Sequence, residues 1–165
     1  MPRKRQRQGD VPATRARPPV HVAVDGLTTA LSRPEARRVV EGVLRAERVP
    51  KAMLSVAFIT NRQIAALNRE HLGTAGATDV ISFGFATASN TDPVIGDVYI
   101  APQVARANAR LRGVTVREEI VRLLVHGTLH VLGHDHPEGD GRERSAMWKR
   151  QEQLVRRSMT RAESD

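Results

Sequence analysis

The period of the apolar positions changes several times along this chain, and each change predicts an element boundary. His21 to Val24 alternates β-branched residues with others and stops at Asp25-Gly26, which reads as a strand and a turn. Ser32-Arg33-Pro34-Glu35 is a helix start, with Ser32 as N-cap and a proline in the first turn. Val39, Val40, Val43 and Leu44 carry the apolar stripe of that helix to about Val49, where Pro50 stops it. Met53 to Thr60 is apolar and partly β-branched, a buried strand. Asn61 caps a helix running through Ile64, Ala65 and Leu67 to about Leu72, and Gly73 to Ala77 is a loop. Val80 to Phe85 and Val94 to Ala101 are two further strands joined by a short turn. Pro102 opens a helix to Leu111. Val114-Thr115 starts what reads as the longest helix, with Ile120, Leu123, Leu124 and Leu129 as its core face and Gly133 as its end. A last amphipathic helix runs from about Glu143 past Leu154.

This order predicts an α/β (α+β) domain: a small mixed four-stranded sheet packed with about five helices, one domain over residues 20–160. The early strands are expected to be parallel with right-handed crossovers, and the short link between strands three and four to make one antiparallel pair. Residues 1–19 are polar, basic and proline-bearing, and read as a disordered tail.

Charge and composition narrow the function. The chain has 165 residues and a formal net charge of +8. Arg3, Lys4, Arg5, Arg7, Arg15 and Arg17 stand against Asp10 alone in the tail, and the last predicted helix is again rich in arginine. Such basic stretches concentrate polyanions, chiefly nucleic acid, although a basic tail can also be merely solubilising. With five aromatic residues, a broad base-stacking platform is not expected. There is no cysteine, which excludes disulfides and thiolate metal sites. No apolar run is long enough for a membrane span, and the basic start lacks the apolar segment of a signal peptide.

The chemistry is concentrated in His126 to His136, HGTLHVLGHDH, which holds four of the six histidines. His126 and His130 are four apart, so on a helix they face the same way. Gly133 can end the helix, and His136 can then turn back towards them. Three imidazoles and a water form the open kind of site that zinc uses catalytically, one ion per chain. His134 is expected behind the ligands or at the surface. Asp135 is a candidate to orient an imidazole or to accept a proton from the zinc-bound water. The spacing is also that of the metzincin peptidases, but those need a glutamate directly after the first histidine, and here that position is Gly127.

HGTLHVLGHDH resembles the signature of the YbeY family of metal-dependent endoribonucleases. Leu67-Asn68 with Thr78-Asp79-Val80-Ile81-Ser82-Phe83 resembles the family's LN…TDVLSF segment, and Ile95-Gly96-Asp97-Val98-Tyr99-Ile100 its LGDI strand. The resemblance covers about residues 20–155. It implies zinc on His126, His130 and His136, cleavage of single-stranded RNA, and 3′-end maturation of the small-subunit (16S) rRNA with a part in ribosome quality control. It further implies a cytoplasmic protein that meets the small ribosomal subunit, with ribosomal-protein or GTPase partners. Many members carry an arginine just before the glycine of the loop leading to TDVLSF. Here that position is Leu72, followed by Gly73, and Arg69 is the nearest candidate to contact RNA in its place. The rival readings are a metzincin-like metallopeptidase and a non-catalytic, metal-stabilised RNA-binding ribosome factor.

Overall fold

A computed structural model describes residues 19–162, so the expected tail, residue 19 apart, lies outside the described residues. The elements are β1 (Val20–Gly26), α1 (Arg33–Ala46), β2 (Ala52–Phe58), α2 (Asn61–Leu72), β3 (Val80–Phe85), β4 (Val94–Ile100), α3 (Pro102–Arg112), α4 (Val116–Val131) and α5 (Ala146–Ala162). A 3-10 helix, Gly139–Arg144, precedes α5. The sheet order is β1-β2-β4-β3. β1 runs parallel to β2 and β2 parallel to β4, while β3 is antiparallel to β4. The expected mixed four-stranded sheet with five α-helices is therefore the fold. No helix among the described residues is long and apolar enough to cross a membrane.

Boundaries moved where capping chemistry overrode the apolar pattern. Thr60, and not Asn61, caps α2: its hydroxyl accepts from the Gln63 amide, while the Gln63 side chain accepts from the Thr60 amide. Ser32 and Glu35 make the same reciprocal box at α1. That helix ends at Ala46, short of Val49, and Arg48 just beyond takes a left-handed φ of 57°. α5 begins three residues later than expected, because Gly139 to Arg144 winds more tightly. With 17 residues it also exceeds α4, which has 16.

Alternation divides the sheet into two faces. Val22, Val24, Leu54, Val56, Val98 and Ile100 pack with α1, α4 and α5 in the main core, while Ile81 packs beneath Ile64 of α2 in a smaller cluster on the opposite face. α4 is the central helix. It contacts β3 and β4 on one side and α1, α3 and α5 elsewhere, and twelve of its residues are buried.

The approach of α4 to the sheet is possible only because side chains are missing at the contact. A Cβ on Gly127 would stand 2.6 Å from Cγ1 of Val98, and one on Gly96 would stand 2.5 Å from Cγ1 of Val131. Both fall well inside van der Waals contact, so the C-terminal half of α4 lies directly on β4. Gly127→Ala is accordingly expected to destabilise the protein by about 1–3 kcal/mol through overpacking. Gly42→Ala, in the middle of α1 where an added Cβ meets nothing within 4 Å, should stabilise it by about 0.5–1 kcal/mol. Urea unfolding of the two variants checks both signs.

Candidate metal centre

His126 and His130 are four positions apart on α4, so their rings meet in an edge-to-face arrangement with centroids 4.5 Å apart. The helix stops at Leu132, and Gly133 takes φ 90°, a conformation that glycine adopts at little cost. The chain then reverses and returns His136, whose ring lies 5.3 Å from that of His126 and 5.1 Å from that of His130. One nitrogen from each of the three falls within 4.8 Å of the others, so the set could hold a metal ion.

The orientation of the rings is fixed from behind. Nδ1 of His126 is 2.7 Å from Oε1 of Gln151, which can only accept, so Nδ1 carries the proton and Nε2 is left with its lone pair. Nδ1 of His136 is 3.1 Å from the Pro137 carbonyl, which fixes the same tautomer there. Nε2 of His136 and Nε2 of His130 are 3.3 Å apart. That separation is what two nitrogens show when each lies about 2.0–2.1 Å from one tetrahedral ion. Neutral imidazoles with second nitrogens anchored to protein acceptors are the donor set that zinc favours.

Burial and neighbouring charge favour the neutral form of His126 and His130. Burial pushes the His126 pKa down to about 4, with His130, Arg142 and His136 acting in the same direction against the Gln151 hydrogen bond. Burial and then His136 lower the value for His130, opposed by Asp135 and by the backbone of His134. Few protons therefore compete with a metal ion near neutral pH.

Gln151 belongs to a longer chain of contacts. Its amide nitrogen donates to Glu152, which also accepts two bonds from Arg122. Arg122, buried in α4, donates further to Glu118 and Glu119. Thus α5 is clamped to α4 next to the histidines. Sequence reasoning missed this support, although one signal was present. Gln151 interrupts the apolar stripe Met147, Leu154, Val155 of α5, and it is 1% exposed.

The other anticipated residues fall outside the cluster. The His134 ring turns away to Glu47, 2.9 Å from Oε2, so that it is the backbone of this residue that bears on His130. Asp135 accepts from the His136 amide through Oδ1, and its charge favours protonation of His130. Arg69 is exposed on α2, which packs on the sheet face opposite α4. Asp79, beside the TDVISF segment, accepts from the Val80 amide and from Asn108, a loop-fixing role. Gly127 faces Val98, so no side chain at that position can point towards the histidines.

A family model described as Endoribonuclease YbeY matches residues 25–159. The chain is 34% identical over 146 residues to Endoribonuclease YbeY of Pelotomaculum thermopropionicum, covering 85% of this chain and 93% of that one. It is 38% identical over 124 residues to the protein of the same name from Frankia alni, covering 68% and 67%. Among solved structures, a Thermotoga maritima protein determined in solution matches with a TM-score of 0.60 over 87% of this chain and 93% of that one. At 21% identity this last likeness speaks for the fold alone.

The depressed histidines make stability depend on pH in the metal-free protein. An unfolded chain protonates His126 near 6.5, whereas the folded one resists until about 4. The stability present above 6.5 is therefore lost as pH falls from about 6.5 towards 4, on the order of 3 kcal/mol in all. Chemical denaturation of chelator-treated protein across this range should show the slope, and His126→Asn should flatten it.

Proposed function

From its membership of the YbeY endoribonuclease family, to which the chain belongs, we propose that this protein hydrolyses single-stranded RNA with one zinc ion held by His126, His130 and His136. The observation that carries this reading is the 3.3 Å approach of Nε2 of His130 to Nε2 of His136, with Nδ1 of His126 and of His136 each tied to a protein oxygen. Lone pairs directed at one another in this way are unfavourable unless a cation or a shared proton lies between them.

The chain's own groups do the positioning. Gln151 holds His126 in the tautomer that leaves Nε2 free, and the Pro137 carbonyl does the same for His136. When bound, zinc supplies Lewis acidity: it lowers the pKa of a water towards about 7 and polarises a phosphoryl oxygen. We assign Asp135 as proton acceptor, through Oδ2, since its Oδ1 is occupied by the His136 amide. The metallopeptidase alternative lacks its base. The position after the first histidine lies against Val98 and has no room even for a methyl group.

The wider setting follows the family: 3′-end maturation of small-subunit rRNA in the cytoplasm, with the small ribosomal subunit and its ribosomal-protein or GTPase factors as partners. A net charge of +8 favours a polyanionic partner over a peptide.

The test is incubation of the zinc-loaded protein with a single-stranded rRNA fragment, with and without chelator. Cleavage that chelator abolishes, with no cleavage of casein peptides at equal enzyme, is the expected result. RNA binding without chelator-sensitive cleavage would instead favour the non-catalytic factor. His136→Ala should lose most of its bound zinc, whereas His134→Ala should keep it. Gln151→Ala should weaken zinc binding roughly 10–100-fold, because a freed imidazole no longer presents Nε2.

A further inference from the structure

Most cations near the histidines are already neutralised. Arg122 is paired with Glu118, Glu119 and Glu152, and Arg112 lies 3.7 Å from Glu119. Arg150 donates to Glu47 and to the Ala46 carbonyl. Arg142 differs from all of these. Among the described residues no carboxylate forms an ion pair with it, and its Nε is buried with no hydrogen-bond partner.

Its position is set by two contacts. The 3-10 helix that carries it begins three residues after His136, and is folded back so closely that a Cβ on Gly141 would meet the Pro137 ring at 3.1 Å. The guanidinium lies over the Trp148 ring, 5.9 Å from its centroid. Trp148 is on α5, three residues before the Gln151 that anchors His126. The charge of Arg142 consequently bears on both His126 and His130.

We propose that Arg142 is the phosphate-binding cation of this site, and that it takes a non-bridging oxygen of the RNA strand lying at His126, His130 and His136. The inference rests on the proposed function only in that the site takes up single-stranded RNA, whether or not it cuts it. A guanidinium presents a fork of donors that matches phosphate oxygens, and this one has donors without acceptors. The cation–π contact with Trp148, a ring that Arg112 also approaches at 5.7 Å, restrains the side chain before a ligand arrives, so less conformational freedom is lost on binding. Leu72 cannot play this part, and Arg69 stands on the far face of the sheet.

The experiment measures binding of a fluorescent, cleavage-resistant 2′-O-methyl oligoribonucleotide to the full-length protein, zinc-loaded and chelated, across a salt series. Arg142→Ala should weaken binding about tenfold at low salt and lower the slope of log affinity against log salt by about 0.7. Zinc content should remain unchanged. Arg142→Lys should recover part of the loss, since it keeps the charge without the fork. Trp148→Leu should fall between wild type and Arg142→Ala. Arg69→Ala, which removes the same unit of charge, should change binding much less.

Unchanged affinity and salt slope in Arg142→Ala would overturn the proposal, as would an equal loss in Arg69→Ala. A loss accompanied by missing zinc that Arg142→Lys does not relieve would overturn it too. The two readings fail separately. If zinc-loaded wild type cuts no RNA yet Arg142→Ala still loses affinity, the nuclease reading falls and this one stands. If wild type cuts RNA and Arg142→Ala binds it normally, the reverse holds.

Discussion

The contact between α4 and β4 at Gly127 and Gly96 sets the position of everything else in the molecule. With a Cβ at either place the separation would be about 2.5 Å, so the helix would have to lift from the sheet or tilt. A helix lying this close has its C-terminal half enclosed on nearly all sides, which explains why His126 is buried although it is polar. Burial in turn keeps its imidazole neutral, and a neutral imidazole is what a metal ion requires. The same glycine that allows the close approach removes the place where a metzincin-type base would stand. Packing and chemistry are thus decided by one missing side chain.

The second determinant is the clamp between α4 and α5. Burying His126 Nδ1 without an acceptor would carry the desolvation cost of an unpaired donor, roughly 1–3 kcal/mol. Gln151 supplies that acceptor, and Glu152 with Arg122 holds the segment of α5 from which Gln151 reaches in. The centre of the ion network is nearly closed to solvent, with Glu119 1% and Arg122 8% exposed, while Glu118 and Glu152 stand at its half-buried edge. Such a network contributes little net stability against well-packed apolar groups, but breaking it leaves buried charge unpaired. Its physical effect here is to keep α5 in register beside the histidines.

Local features of the sequence were legible and distant pairings were not. His126, His130, Gly133 and His136 lie within eleven residues, so helix geometry pairs the first two rings and the glycine turn brings back the third. The strand and helix types followed from periodicity, and the antiparallel β3–β4 pair from the short link. The insertion of β4 between β2 and β3 depends on long-range pairing that no local pattern encodes. The Thr60 cap could have been found from Gln63 three residues later, had the reciprocal box been weighed above the asparagine next to it. Gln151 and Arg142 reach the site from later segments, and only the polar break in the α5 stripe hinted at the first. The expected basic tail lies outside the described residues, apart from residue 19.

The central claim, that the pinned end of α4 and the turn after it present three imidazoles to one ion, can be measured directly by X-ray absorption spectroscopy of the zinc-loaded protein. The account predicts three imidazole nitrogens at about 2.0–2.1 Å and a light-atom fourth ligand. A first sphere with fewer than three imidazoles, or one built mainly of carboxylate oxygens, would contradict it.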